Sequence, residues 1–192
     1  MPDSSLLNVT LTEFLDRLGS DAPTPGGGSA AALVGALGAS LGRMVCALTV
    51  GRKKFADVEP QVRQIASRLG RSELMLRNLI DEDASAYGEL NAAFKLDKSD
   101  ADRRDKTAQA AGLAAAVPLE TVAVSRQVLG DLQRLAPIGN PNLSSDIEAG
   151  MHLARAAMKA AAANVRVNLP LLAEEQVRQA ASELDGLLAD AE

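Results

Sequence analysis

The sequence is poor in aromatic rings, cysteine and histidine. Aromatic residues make up 2% of the 192 positions, with no Trp and one Tyr, and Cys46 and His152 are the single residues of their types. A disulfide within the chain is therefore impossible, and no Cys/His metal cluster can be assembled, so we expect no metal site. A net charge of −5 and the lack of rings for base stacking argue against a nucleic-acid partner.

Signals for export or membrane insertion are also missing. The N-terminus has no basic-then-apolar pattern. The apolar run after Ser29 is interrupted by Arg43 and rich in glycine, which predicts a buried helix of a soluble protein and no membrane contact. With 47% hydrophobic residues and no linker, residues 1–192 are expected to form one domain with a sizeable core. We expect a reducing, cytoplasmic location.

The apolar spacing predicts an all-α fold, a bundle of about five to six helices around a long, central apolar helix. The predicted helices run from Thr10 to Leu18, Ser29 to Val50, Val58 to Phe94, Asp102 to Ala136, Ser145 to Val167 and Pro170 to Ala189. Capping-box spacing marks the first helix at Thr10 and the fifth at Ser145, and Ser29 is expected to cap the second. We expect the fourth helix to bend or break at Pro118.

Small residues occupy positions where a helix bundle usually carries leucine. Gly35, Gly38 and Gly42 fall on one side of the second helix, and each costs roughly 1 kcal/mol relative to Ala. Close approach of another helix or a ligand would offset that cost. Because the second helix is apolar nearly all round, we expect a homodimer in which the second and third helices share an interface.

The segment Pro23–Ala32 joins a rigid turn to three glycines and then to the second helix. It lacks the Lys of a nucleotide P-loop, and no strand precedes it as in a dinucleotide fingerprint. Free N–H groups at a helix N-terminus suit anionic ligands. The segment is either a plain loop-to-helix junction or the floor of a ligand site.

Asp83 is the strongest candidate for chemistry because it interrupts the apolar stripe of the third helix. The stripe reads Val62, Ile65, Leu69, Ser72, Leu76, Leu79, Asp83, Tyr87, Leu90 and Phe94. Burial would raise the pKa of the carboxyl group toward the range useful for general acid/base catalysis. The alternatives are a buried acid paired with Arg43, Lys53 or Lys54, or a shifted register that turns Asp81 or Glu82 inward.

Two asparagines one turn apart, Asn164 and Asn168, end a line of small residues on the fifth helix. They are either ligand-binding groups or ordinary residues near a helix end that bond backbone carbonyls. His152 is expected at the surface or core edge, and Cys46 in the core.

Four segments together resemble the cyclodeaminase/cyclohydrolase family of folate enzymes. They are Pro23–Ala31, Asp81–Tyr87, Asn140–Asp146 and Asn164–Asn168, which keep the family's order over nearly the whole chain. The resemblance implies an all-helical dimer with a folate site between helices and a tetrahydrofolate derivative as substrate, without a further cofactor.

The resemblance also implies roles for individual residues. Asp83 would be the acid/base catalyst. The implied substrate-binding residues are Gly26, Gly27, Gly28 and Ser29 as donors, Lys53 or Lys54 for the glutamyl carboxylates, Asn164 for the pterin, and Asn142 and Asp146 of the third segment.

Hydrolysis of 5,10-methenyltetrahydrofolate to 10-formyltetrahydrofolate is the activity expected first, because no formiminotransferase segment accompanies the 192 residues. Formiminotetrahydrofolate cyclodeamination, with release of ammonia, is the alternative. A non-catalytic folate-binding or helical interaction protein is a second alternative.

Overall fold

The computed structural model describes residues 5–97 and 99–189, and these two ranges contain helices, turns and no strand. The helices are α1 (Leu11–Leu18), α2 (Gly27–Ala47), α3 (Glu59–Phe94), α4 (Arg103–Leu135), α5 (Ser144–Asn168) and α6 (Glu174–Leu188), with four short 3₁₀ turns between or before them. The prediction of an all-α bundle of five to six helices is confirmed.

Four helices form the body of the bundle, with α2 between α3 and α5 and with α4 closing the ring opposite α2. The chain direction of α2 is opposite to that of α3, since Ser29 contacts Asp83 and Arg43 pairs with Glu73. The first turn of α2 therefore meets α3 about two-thirds of the way along that helix. Because α3 has 36 residues and α2 has 21, α3 continues well past the point where α2 begins.

The glycines of α2 allow the close helix contacts that their spacing predicts. A Cβ atom on Gly38 would lie 2.9 Å from the carbonyl oxygen of Gly150 in α5. One on Gly42 would lie 2.6 Å from Leu132 and 2.7 Å from Leu69. The expectation that these small residues permit close approach of other helices is confirmed, and that contact offsets their poor helix propensity.

The predicted cap of α2 is wrong. Gly26 is the N-cap, and the first bond of the helix runs from the Ala30 N–H to the Gly26 carbonyl over 3.0 Å. Ser29 is therefore the third helical residue, and the glycines belong to the helix. The predicted Ser145 cap of α5 is also wrong, because α5 begins at Ser144 after Leu143 and has no side-chain cap. The capping box of α1 at Thr10 is confirmed.

Pro118 does not break α4, which is continuous from Arg103 to Leu135. Proline has no N–H group, so the carbonyl four residues earlier, that of Ala114, lacks its usual helical donor. The side-chain amide of Asn168 donates to this oxygen over 2.8 Å. The proline therefore leaves an acceptor that fixes the end of α5 against α4.

The apolar stripe of α3 is buried only where the bundle covers it. Its side chains from Val62 to Leu79 are buried as predicted, and Leu90 is buried in a second cluster with Ala110 and Ala114 of α4. Tyr87 and Phe94 are about half exposed. The physical reason is that α2 begins opposite Asp83 and covers nothing farther along α3. Cys46 is buried, as expected, and His152 is exposed beside Glu148.

Two helices, α2 and α4, are long and apolar enough to cross a membrane by length and composition alone. Both belong to the bundle core, and about half of each apolar window is buried inside it. Core helices pass such a test regularly, so this finding is weak evidence for a membrane location.

Replacing Gly38 with Ala is expected to lower the free energy of unfolding by about 1–3 kcal/mol, because the new methyl group meets backbone that cannot move aside. Urea denaturation measures the change. Gly186→Ala is the matched control, since Gly186 is exposed on α6 with nothing within 4 Å of an added Cβ. An equal effect of both variants would contradict the close contact between α2 and α5.

Candidate functional site

The site is built where the first turn of α2 meets α3. There the Asp83 carboxylate accepts two hydrogen bonds through Oδ2, from the Ser29 backbone N–H over 2.7 Å and from the Ser29 hydroxyl over 2.9 Å. The first N–H groups of a helix have no partner within the helix. Asp83 therefore supplies from α3 the cap that Gly26 cannot give to α2.

Gly28 makes room for this carboxylate. A Cβ atom at Gly28 would lie 1.9 Å from Asp83 Oδ1, so no other residue fits without moving the acid. Within the described residues Asp83 Oδ1 accepts no hydrogen bond. It is also not one of the buried atoms that lack a partner, so it is accessible from outside the protein. One carboxylate oxygen is thus fixed by Ser29, and the other remains available to a water molecule or ligand.

Burial raises the pKa of Asp83, and this effect outweighs the two hydrogen bonds from Ser29, which lower it. A carboxyl group with a raised pKa exchanges its proton more readily near neutral pH than an ordinary aspartic acid. The expected alternatives for this acid are not found: Arg43 pairs with Glu73, and no ion pair joins Asp83 to either lysine in the described chain. Asp81 is not turned to this position.

Asn164 lies beside the same turn of α2. A Cβ atom at Gly27 would be 3.1 Å from Asn164 Nδ2 and 3.2 Å from its Oδ1, so the side chain rests against the glycine backbone. Its Nδ2 donates to the Ala160 carbonyl over 2.9 Å. Asn168, one turn later, donates to Asn164 O and Ala114 O, which holds this end of α5 in place.

The predicted site residues separate into two groups in the structure. Gly26, Gly27, Gly28, Ser29, Asp83 and Asn164 meet at the start of α2. Lys53, Lys54, Asn142 and Asp146 lie near its other end, because the Asn140 N–H bonds the Thr49 hydroxyl there over 3.0 Å. Eighteen residues of helix separate Ser29 from Ala47 at the end of α2, which corresponds to roughly 27 Å, and Thr49 lies just beyond. One copy of the chain does not bring the two groups together.

Two roles escaped the sequence pattern. Ser29 is completely buried, and its side chain serves Asp83 and the Ile80 carbonyl, where the pattern suggested a cap or a ligand donor. Asp81 holds the N-terminal segment by accepting bonds from the Ser5 hydroxyl and the Leu6 N–H, each 2.6 Å long. The only available signal was the acidic cluster at 81–83, which does not say which partner each carboxylate takes.

The arrangement provides acid/base chemistry next to free backbone donors. A half-buried carboxylate, unpaired N–H groups at a helix N-terminus and a side-chain amide converge on one point. In the described ranges no group of three or more His, Cys, Asp or Glu side chains has metal-site geometry. A cavity of about 630 Å³ lies elsewhere, between α4 and Leu187, and includes none of these groups.

Replacing Asp83 with Asn is expected to stabilise the fold increasingly as pH rises. Because the pKa of Asp83 is raised in the folded state, its ionisation costs stability above its ordinary pKa of 3.8, whereas Asn cannot ionise. The unfolding free energy of the variant minus that of the native chain should grow as the pH rises above about 4, for as long as Asp83 is still ionising in the folded chain. Urea denaturation across this range measures it, with exposed Asp185→Asn as control; a difference that shrinks with rising pH would contradict the assignment.

Comparison with known proteins identifies the family of this chain. Residues 10–184 match the family model described as formiminotransferase-cyclodeaminase. The chain is 39% identical to a methenyltetrahydrofolate cyclohydrolase of Methylorubrum extorquens, over 96% of this chain and 91% of that one. It is 34% identical to the formimidoyltransferase-cyclodeaminase of Mus musculus, over 93% of this chain but only 34% of the mouse protein.

A solved structure has the same fold. The crystal structure of formiminotetrahydrofolate cyclodeaminase from Thermotoga maritima superposes with a TM-score of 0.89 at 30% identity, covering 97% of this chain and 92% of that one. With the family model, the two relatives and this structure in agreement, the chain belongs to the formiminotransferase-cyclodeaminase family.

Proposed function

We propose that the protein hydrolyses 5,10-methenyltetrahydrofolate to 10-formyltetrahydrofolate, with Asp83 as the acid/base catalyst. The observation that carries the proposal is the Asp83 carboxylate, half-buried and fixed through Oδ2 while Oδ1 stays free. Similarity to a cyclohydrolase along nearly that relative's whole length favours hydrolysis over other reactions of the family.

The substrate brings its own electrophile, a cationic carbon between two nitrogens. Asp83 Oδ1 takes a proton from water as the oxygen attacks this carbon, which gives a neutral tetrahedral adduct. The protonated carboxyl then donates to the departing ring nitrogen N5 as the C–N5 bond breaks, and the adduct's hydroxyl proton leaves. The net reaction consumes one water and releases one proton, and the carboxylate also stabilises the cation before attack.

The first turn of α2 and the end of α5 provide the binding groups of this proposal. Gly26, Gly27 and Gly28 offer backbone that a flat ring system can approach closely, and the free N–H groups there favour oxygen atoms that gain negative charge. Asn164 has its Oδ1 free for a hydrogen bond to the pterin, since only its Nδ2 is bonded within the described chain.

A homodimer is part of the proposal. Leu37 and Met44 of α2 are exposed by 48% and 38%, and Leu48, which follows α2, by 39%. Leu74 and Met75 of α3 are exposed by 60% and 40%. Large apolar side chains on two neighbouring helices mark an interaction surface. If α2 pairs in antiparallel fashion with α2 of a second copy, Lys53, Lys54, Asn142 and Asp146 of that copy approach the start of α2. The site would then contain all the residues that the sequence assigns to it.

Cyclodeamination of formiminotetrahydrofolate is the second candidate, and the Thermotoga maritima structure favours it. Its tetrahedral carbon would use Asp83 in the same way, with ammonia as the leaving group.

A folate enzyme with one buried, free thiol, Cys46, suits the cytoplasm, which is the location we propose.

Two assays on the purified protein test the activity: loss of the methenyl chromophore from 5,10-methenyltetrahydrofolate, and release of ammonia from formiminotetrahydrofolate. We expect the first reaction to be the faster. Asp83→Asn should lose at least about 100-fold in kcat, because the proposed acid/base group is removed. Gly28→Ala should lose a similar factor by displacing the carboxylate.

Gly186→Ala is again the control, expected to retain full activity because an added Cβ there meets nothing within 4 Å. Full activity of Asp83→Asn would overturn the mechanism. Ammonia release faster than methenyl hydrolysis would replace the proposed reaction with the second candidate, and no reaction and no calorimetric binding of a reduced folate would overturn both.

The dimer has a separate test. Leu37→Glu places a charge on the outer face of α2 and is expected to shift the protein from dimer to monomer in size-exclusion chromatography with light scattering. Leu113→Glu changes a residue of similar exposure, 45%, on α4 and should leave the dimer intact. A native chain that is monomeric while catalysing the reaction would contradict the shared site.

A further inference from the structure

The Ser29 hydroxyl lies between two acceptors. Its Oγ is 2.9 Å from the Ile80 carbonyl oxygen and 2.9 Å from Asp83 Oδ2. A hydroxyl group carries one proton, so it donates to one of these oxygens at a time. Ser29 is completely buried, so its hydroxyl is shielded from bulk solvent.

We propose that Ser29 is a positioning residue for the acid/base cycle of Asp83, its hydroxyl turning between Asp83 Oδ2 and the Ile80 carbonyl as the carboxyl group loses and gains its proton. This role rests on the proposed function of Asp83. It goes beyond it because Ser29 does not touch substrate and acts only through Asp83.

In the ionised state both Ser29 donors point at Oδ2. The N–H and O–H bonds hold the charged oxygen, and Oδ1 is left as the base toward water. Hydrogen bonds to a charged group are stronger than neutral ones, so this orientation is preferred while Asp83 carries its charge.

After Oδ1 has taken a proton, Oδ2 is an oxygen of a neutral acid and a weaker acceptor. The Ser29 N–H still holds it, and the hydroxyl can turn to the Ile80 carbonyl without loss of a buried hydrogen bond. The proton on Ser29 never leaves Oγ, and no heavy atom moves. The carboxyl group therefore keeps one position through both protonation states, which general acid/base catalysis at one carbon requires.

The surroundings of Asp83 make Ser29 the group whose loss is most readily detected. The neighbouring part of α2 carries no charged residue before Arg43, and α5 approaches with the neutral Asn164. Lys159 and Arg166 on either side of Asn164 are exposed, as are Asp21, Glu82 and Glu120. Arg43 pairs with Glu73, and Asp81 bonds Ser5 and Leu6. Burial and the two Ser29 bonds are the causes that set the pKa of Asp83.

Ser29→Ala tests the proposal with two independent readouts. Carbon-13 NMR of the aspartate carboxyls, with Asp83→Asn to assign the signal, measures the pKa of Asp83 directly. We expect this pKa to rise in Ser29→Ala, because the ionised form loses a hydrogen bond. In methenyltetrahydrofolate hydrolysis, kcat should fall about 10- to 100-fold with little change in KM. The acidic limb of the pH profile should shift to higher pH.

Ser125→Ala is the matched control, since Ser125 of α4 is also completely buried and its hydroxyl has no partner within the described chain. It should leave both readouts unchanged. Ser29→Thr keeps the hydroxyl, so the pKa of Asp83 and the kcat should both equal those of the native chain. If Ser29→Ala does not fold, Ser29→Cys fills the space with a weaker donor and should shift both readouts in the same direction.

An unchanged pKa and an unchanged kcat in the folded Ser29 variants would overturn the proposal, as would a loss confined to KM. The two readouts also separate this role from the proposed function. If the pKa of Asp83 differs between the native chain and Ser29→Ala but the native chain turns over no folate, the proposed catalysis is overturned. If the native chain turns over folate but the two pKa values are equal, only the positioning role is overturned.

Discussion

The N-terminus of α2 has no cap of its own, and the carboxylate of Asp83 supplies one from the neighbouring helix. This single contact joins two requirements that usually conflict. It satisfies one backbone donor of the first helical turn, the Ser29 N–H, and it fixes an acidic side chain where burial makes ionisation costly. The start of α2, the register between α2 and α3, and the orientation of the candidate catalyst all depend on it.

The glycines around this contact follow from geometry. At Gly28 any side chain would occupy the space of Oδ1, and at Gly38 it would press on the backbone of α5. The first glycine serves the site, and the second serves the packing that keeps the site in place. Stability and chemistry thus constrain positions about three turns apart on one helix, and the carboxylate stays fixed because the helices around it cannot shift independently.

Much of this architecture could be read from the sequence, because apolar spacing reports which face of a helix is buried. The stripe of α3 identified Asp83 as the acid turned inward, and the spacing of Gly35, Gly38 and Gly42 predicted close helix contacts. Local patterns failed where a distant residue decides the outcome. Ser29 has the chemistry of a cap, but Asp83, 54 residues away, takes that role. Pro118 reads as a helix breaker, but Asn168 bonds the carbonyl it leaves free. Tyr87 and Phe94 follow the stripe into a region that α2 does not cover.

Local sequence patterns are also insufficient to place all the residues of the candidate site. Spacing along a chain does not say which copy of the chain supplies a residue to a site, and within one copy Lys53 and Asn142 lie about 30 Å from the start of α2. A crystal structure of the protein with a stable reduced folate tests the whole account most directly. We predict the one-carbon position of the ligand against Asp83 Oδ1, with its ring system over Gly26–Gly28. A folate bound away from Asp83, for example in the cavity between α4 and Leu187, would contradict it.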